Sequence, residues 1–307
     1  MIDLSNAQLS EMNNLQLLAK QVVEGFITGM HKSPFHGFSV EFSEHKLYNK
    51  GESTRHIDWK LFAKTEKLYT KKYEEETNLR CHIIIDNSAS MHYPVVKMQQ
   101  LDTLNKVGFS AVAAACLMEV LKRQRDAVGL SIYSDSYEYY APEKGSDRHR
   151  KMVFHQLENL LGSTSKATTE TYQFFHEIDE KIHRRSLIFL FTDMWQSSTH
   201  EVVLFEALRH LKYNKHEVVL FHTFDAKTEL HFDFDNAPKK FVDVETKEEV
   251  NLYSENIQAH YKTLVDTYFK ALRTKCLQYK IDYVPVDIHQ GFHRVLTTYF
   301  LSRRRVV

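Results

Sequence analysis

From residue 79 onward the chain alternates short, wholly apolar runs with longer amphipathic stretches. That alternation predicts strands and helices taken in turn. Cys81 to Ile85 predicts a buried strand, and a helix follows over 97–122, where Ala111 to Ala115 permit close packing on a sheet. Next come a strand over 127–133, a hairpin partner over 137–141, a helix over 147–161, a polar loop over 162–168 and a helix over 169–183. The very apolar run 186–192 predicts another strand, followed by a helix over 201–211 and a strand over 217–221. The rhythm breaks over 223–256, which is acidic, aromatic and Lys-rich and reads as an inserted β segment. It resumes with a helix over 257–277, a strand over 281–286 and a last helix over 292–302. Strands apolar along their whole length imply an α/β fold: a mainly parallel sheet with helices on both faces. Ligands of such sheets bind at the carboxyl ends of the strands.

Upstream the texture differs. Residues 7–30 carry a helical stripe of Leu9, Met12, Leu15, Leu18, Val22 and Phe26. After Ser33-Pro34, short strands and turns are expected, with a helical turn around Ile57 to Ala63. The pattern divides the chain into an N-terminal helical segment (1–30), a smaller β-rich module (31–78) and an α/β domain (79–302) with its insertion at 223–256.

Forty basic residues balance forty acidic ones among 307. The zero net charge gives no global attraction to nucleic acid or an anionic membrane. Cys81, Cys116 and Cys276 stand in apolar segments without metal-ligand spacing and read as small buried hydrophobes. No apolar run is long enough for a membrane span, and Met1 to Asn14 has no basic residue to begin a signal peptide. A cytoplasmic location is the expectation.

The chemistry concentrates at two strand ends. Ile83-Ile84-Ile85-Asp86-Asn87-Ser88-Ala89-Ser90-Met91 runs from an apolar strand into a polar loop. Asp86, Ser88 and Ser90 fall at alternate positions, where a turn aims three hard oxygen donors at one point. Leu187 to Thr192 leads in the same way to Asp193. Between them lies the hydroxyl-rich loop Ser163-Thr164-Ser165-Lys166-Ala167-Thr168-Thr169. Mg²⁺ favours oxygen ligands in octahedral geometry. A site rich in neutral hydroxyls leaves the ion electron-poor and ready for an outside anionic ligand. His92 and Thr168 stand where such a partner would touch. The chain lacks a G-x-x-x-x-G-K-[ST] loop, an H-E-x-x-H pair, a C-x-x-C pair and a G-x-S-x-G elbow.

D-x-S-x-S, a later Thr before a helix and an Asp at a strand end resemble the metal-ion-dependent adhesion site of von Willebrand factor A (vWA) domains. The resemblance implies a Rossmann-like vWA fold and a site for Mg²⁺ or Mn²⁺ formed by Asp86, Ser88, Ser90, Asp193 and Thr169, with Thr168 as the alternative to Thr169. The flanks sharpen the match. Gly37 to Phe42, Tyr48 to Glu52, the segment Arg55-His56-Ile57-Asp58-Trp59, Tyr73 to Glu76 and Asp243 to Thr246 are similar to the bacterial "domain of unknown function 58" family. In the R-x-x-D-W segment, Arg55 and Asp58 are expected to form a structural ion pair and Trp59 to lie in a core. Proteins of that family are commonly linked with MoxR-type AAA+ ATPases. The resemblance therefore implies a non-enzymatic, metal-dependent interaction module, an adaptor or co-chaperone beside such an ATPase or its client. The alternative is a metal-assisted hydrolase or phosphotransferase using the same site.

Overall fold

The computed structural model describes residues 15–31, 45–47, 59–65, 67–71, 79–96, 99–100, 103–134, 137–163, 177–178, 180–194, 198–235, 238–242 and 248–306. Two compact units divide the chain. One lies within residues 26–78; the other combines the chain up to Gly25 with the chain from Leu79 on.

Helix α1 (Leu15–His31) opens the described chain. Its buried stripe runs through Leu15, Ala19 and Val23, one position beyond the predicted Leu18 and Val22, which are half-buried. The Leu15 N–H donates to Glu158 Oε1 at 3.3 Å, and Glu24 pairs with Arg123 at 3.3 Å. In the smaller unit β1 (His45–Leu47) pairs antiparallel with β2 (Tyr69–Lys71), and α2 (Trp59–Thr65) falls between them in the chain. The expected core position of Trp59 is corrected: it is 61% exposed and meets Phe62 edge-on. A helix of seven residues offers little apolar face, and Phe62 to Thr65 are exposed as well. Arg55 and Asp58 lie outside the described residues.

The larger unit is built on β3 (Arg80–Asp86), α3 (Lys106–Arg123), β4 (Ala127–Tyr133), β5 (Tyr137–Lys144), α4 (Asp147–Leu161), β6 (Leu187–Thr192), α5 (Ser198–Tyr213) and β7 (Glu217–Phe224). After β7 come a wide π-helical turn at Ala226–Leu230, then β8 (Pro238–Val242) and β9 (Glu249–Tyr253). The chain closes with α6 (Ser254–Gln278), β10 (Asp282–Asp287) and α7 (His293–Val306). Six strands form one sheet in the order β10-β7-β6-β3-β4-β5; all neighbours are parallel except β5, which runs antiparallel to β4. β8 and β9 make a separate antiparallel hairpin. The architecture is the mixed α/β fold that the wholly apolar strands predict.

Burial explains the layers. Every residue of β6 is buried, as is β3 from Cys81 on. Ile84, Ile188, Leu190, Val218 and Leu220 pack on one side with Leu204 and Leu208 of α5 and Leu272 and Cys276 of α6. On the other side Phe221 stacks on Phe191 and meets the tilted ring of Phe189, which Tyr299 of α7 also meets. All three cysteines are buried. Helix α3 starts at Lys106, nine residues after the predicted start, because the Asn105 side chain caps it by accepting the Gly108 N–H at 2.8 Å. Both edge strands contain a proline, Pro142 in β5 and Pro285 in β10.

One polar cluster lies inside the sheet. His82 on β3 bridges Glu143 on β5 (Nδ1 to Oε1, 2.5 Å) and Ser131 on β4 (Nε2 to Oγ, 2.7 Å). Gly129 makes room for it: a Cβ there would fall 2.5 Å from His82 Nδ1. The order Ser–His–Glu resembles a nucleophilic relay, but His82 and Ser131 are wholly sealed from solvent and the Glu143 side chain is 0% exposed. The cluster therefore ties three strands together. Burial alone would raise the Glu143 pKa; the hydrogen bond and charge of His82 outweigh it and hold the carboxyl below its ordinary 4.5. A lowered carboxyl pKa stabilises the fold above that value and ceases to do so as pH falls through the folded pKa. We predict that Glu143→Gln loses about 1.5–3 kcal/mol of stability at neutral pH, the range for hydrogen bonds to charged groups. Urea unfolding should show this deficit shrinking once the pH drops below 4.5; a deficit independent of pH would contradict it.

Candidate functional site

The carboxyl end of β3 turns sharply at Asp86. The backbone shapes the turn through the Met91, His92 and Tyr93 N–H groups, which donate to the Ser88, Ala89 and Ser90 carbonyls at 3.1, 3.2 and 3.1 Å. Asp86 is buried, with Oδ1 accepting the Ser88 N–H at 2.9 Å and Oδ2 accepting the Thr192 hydroxyl at 2.8 Å. The Ser88 and Ser90 hydroxyl oxygens are 3.2 Å apart. The alternate spacing thus puts the two hydroxyls side by side while the carboxylate anchors the turn and joins β3 to β6.

Asp193 follows β6, the parallel neighbour of β3, and is also buried. It lies near enough to Asp86 to act on its charge: burial first, and then the Asp193 carboxylate, push the Asp86 pKa up to about 6. A positive side chain completes the group. Lys106, fully buried at the first turn of α3, places Nζ 2.8 Å from Asp193 Oδ2 and 2.5 Å from Glu229 Oε1. Burial works against its charge, but Asp193 and Glu229 prevail and hold the lysine above its ordinary pKa. Glu229 sits in the helical turn after β7, with Oε2 accepting the Asp225 N–H at 2.7 Å and its backbone carbonyl accepting the Tyr261 hydroxyl at 2.8 Å. The Lys106 N–H donates to the Tyr93 carbonyl at 3.1 Å, and Asn105 Nδ2 donates to the His92 carbonyl at 3.3 Å. The 86–93 turn is thereby bound to the start of α3.

Of the residues that the sequence singled out, Asp86, Ser88, Ser90 and Asp193 stand at the ends of two adjacent strands. Thr168 and Thr169 lie outside the described residues; Ser163, just past α4, places its hydroxyl 3.5 Å from Asn87 Oδ1. His92 is half-buried, with Nε2 2.9 Å from Asn87 Oδ1; Asn87 in turn donates to Glu138 of β5 at 2.8 Å. Burial lowers the His92 pKa, against the opposing charge of Glu138. Sequence reasoning missed Lys106, Glu229 and Thr192. Lys106 did leave a signal, since it is a charge heading a helix whose next fifteen residues are all buried. Two further aspartates end strands, Asp225 after β7 and Asp287 in β10. Both are occupied in turn-making: Asp225 Oδ1 accepts the Lys227 N–H at 2.9 Å, and Asp287 Oδ1 accepts the His289 N–H at 3.2 Å.

This donor set fits a small hard divalent cation. Neighbouring oxygens of an octahedral Mg²⁺ stand about 2.9 Å apart, close to the observed hydroxyl separation. Two buried carboxylates, Asp86 and Asp193, supply the negative charge. Among the described residues no three His, Cys, Asp or Glu side chains gather as a metal-binding group.

Fold and site together define a mixed α/β protein with a polar cluster at the carboxyl edge of its sheet. The chain belongs to the family described as "Protein of unknown function DUF58", which matches residues 44–268. Over 110 residues it is 27% identical to uncharacterized proteins of Mycobacterium tuberculosis and Mycobacterium bovis, a match covering 36% of this chain and 32% of theirs. The match thus spans only about a third of the length of those relatives. Among solved structures, the chain is similar to the conserved hypothetical protein BatB from Bacteroides thetaiotaomicron, with a TM-score of 0.46, 13% identity, and 74% of this chain and 98% of that one covered. It is similar also to an aerotolerance-related membrane protein from Bacteroides fragilis (TM-score 0.48, 13% identity, coverage 74% and 99%). A third is an uncharacterized membrane spanning protein from Vibrio fischeri (TM-score 0.23, 14% identity, coverage 74% and 98%). Two of these three are named membrane proteins. On that finding the expectation of a cytoplasmic location is corrected and not carried forward. Among the described residues no helix is long and apolar enough to cross a membrane.

Removing one member of a buried ion pair leaves the other charge uncompensated and costs about 3–5 kcal/mol. Lys106→Met should lower stability by that amount in urea unfolding with EDTA present. A loss no greater than that of an ordinary surface substitution would show that the ammonium is not what holds Asp193 and Glu229.

Proposed function

We propose that this protein is a non-enzymatic, metal-dependent interaction module of the vWA type. In this reading Asp86, Ser88, Ser90 and Asp193, with Thr169 or Thr168, form its adhesion site for Mg²⁺ or Mn²⁺. One observation carries the reading: two side-by-side hydroxyls and two mutually repelling buried carboxylates meet at the ends of adjacent parallel strands. When bound, the ion offers a coordination position that a partner's carboxylate can fill. The chain's own residues orient the donors. Asp86 holds the turn through the Ser88 N–H, Thr192 fixes Asp86, and Asn105 and Lys106 moor the turn to α3.

The proposed partner is a MoxR-type AAA+ ATPase or its client. Support comes from the family resemblance and from the lack of a phosphate-binding loop in this sequence, which assigns any nucleotide-driven step to another protein. Two outcomes test the reading. Mn²⁺ titration followed by spin resonance should reveal one weak site, absent in Ser88→Ala; a wild type indistinguishable from the variant removes the metal from the account. Pull-downs from the native cell should recover an AAA+ ATPase with wild type in Mg²⁺, and lose it with EDTA or with Asp193→Ala. Recovery indifferent to both would put the ATPase on another surface, and no ATPase at all would dismiss the adaptor role.

A further inference from the structure

We infer that the Lys106 ammonium is the built-in cation of the strand-end cluster, and that a divalent ion must compete with it for Asp193. The inference rests on the metal reading proposed above and adds the regulation of that site.

The placement of Lys106 is the starting observation. It is fully buried and opens α3, with Asn105 as the cap. The amino end of a helix carries partial positive charge and disfavours a cation. A buried lysine persists there only against concentrated negative charge. Asp193 at 2.8 Å and Glu229 at 2.5 Å supply it, and the Tyr93 ring faces the ammonium at 5.9 Å. Two carboxylates, Asp193 and Glu229, therefore share one ammonium, and Asp193 gives its Oδ2 to that ammonium.

An incoming divalent ion meets a site that is already part-neutralised. It is repelled by the ammonium and contends with it for the same carboxylate. Glu229 provides a second berth. It sits in the turn after β7, and Tyr261 and the Asp225 N–H secure it. The ammonium can stay on Glu229 while Asp193 turns to the ion. Two substitutions should then act in opposite directions. Without the ammonium, the metal binds more tightly. Without the charge on Glu229, the ammonium leans wholly on Asp193, and the metal binds more weakly.

The experiment is Mn²⁺ titration of the full chain as wild type, Lys106→Met and Glu229→Gln, with thermal unfolding of each in Mg²⁺ and in EDTA. Removing one like charge at close range is expected to tighten Mn²⁺ binding by about tenfold or more in Lys106→Met, and Glu229→Gln is expected to weaken it. Lys106→Met should also gain more melting temperature from Mg²⁺ than wild type does, or regain its fold with Mg²⁺ if it is unfolded in EDTA. A folded Lys106→Met that binds Mn²⁺ no more tightly than wild type overturns the inference while leaving the metal reading intact. If Lys106→Met is unfolded in both buffers, Glu229→Gln decides, and binding as tight as wild type overturns it. No Mn²⁺ bound by wild type or by either variant overturns the metal reading and this inference with it.

Discussion

A buried ammonium that must be paired is the constraint from which the site follows. Desolvating a single unpaired ion costs several kcal/mol, more than the roughly 1 kcal/mol net of an ordinary hydrogen bond. Lys106 therefore dictates where its neighbours go. The end of β6 must bring Asp193 to it, and the turn after β7 must bring Glu229. Because the backbone N–H of Lys106 also donates to the Tyr93 carbonyl, the turn after β3 is drawn into the same arrangement. Three separate crossings of the sheet are thus brought to a common end by one side chain on a helix that is otherwise apolar or small over its buried length, Ser110 and Glu119 apart.

Two of the polar clusters among the described residues differ in their place in the sheet, and that gives them different roles. Ser131, His82 and Glu143 have the composition of a hydrolytic relay, yet they lie within strands, covered on all sides. Asp86, Ser88, Ser90 and Asp193 have less familiar chemistry but lie where parallel strands stop and the chain must turn. Strand ends leave backbone amides and side chains unclaimed by the sheet ladder, which is why ligand sites gather there. Place in the sheet, within the strands or at their ends, separates a structural triad from a candidate binding site in this chain more than residue type does.

Much of the fold was legible because β3, β6 and β7 are apolar along their length and so announce a sheet covered on both faces. The antiparallel partner β5 was visible in the alternation after Tyr137, and α4 was legible to the residue, since Ser146 and Gly162 bracket its pattern. The start of α3 was not, because Lys97 to Leu104 has helical texture and only the cap at Asn105 fixes where the helix begins. Trp59 misled because a large aromatic usually marks a core, whereas here it heads a helix too short to make one. In the site, spacing revealed Asp86, Ser88 and Ser90, and the strand end revealed Asp193. Lys106 and Glu229 were hidden because they are 123 positions apart, and nothing local links a lysine in one helix to a glutamate beyond the next four strands.

The two edge prolines have a consequence for assembly. A sheet can recruit another chain by strand addition, which requires an unbroken row of N–H and C=O groups along an outer strand. Pro142 interrupts that row on β5 and Pro285 on β10, so at either margin an added strand would find a gap in the donor series. Growth of this sheet beyond six strands is discouraged from both sides. Recognition is left to the helical faces and to the carboxyl rim, where the polar side chains stand.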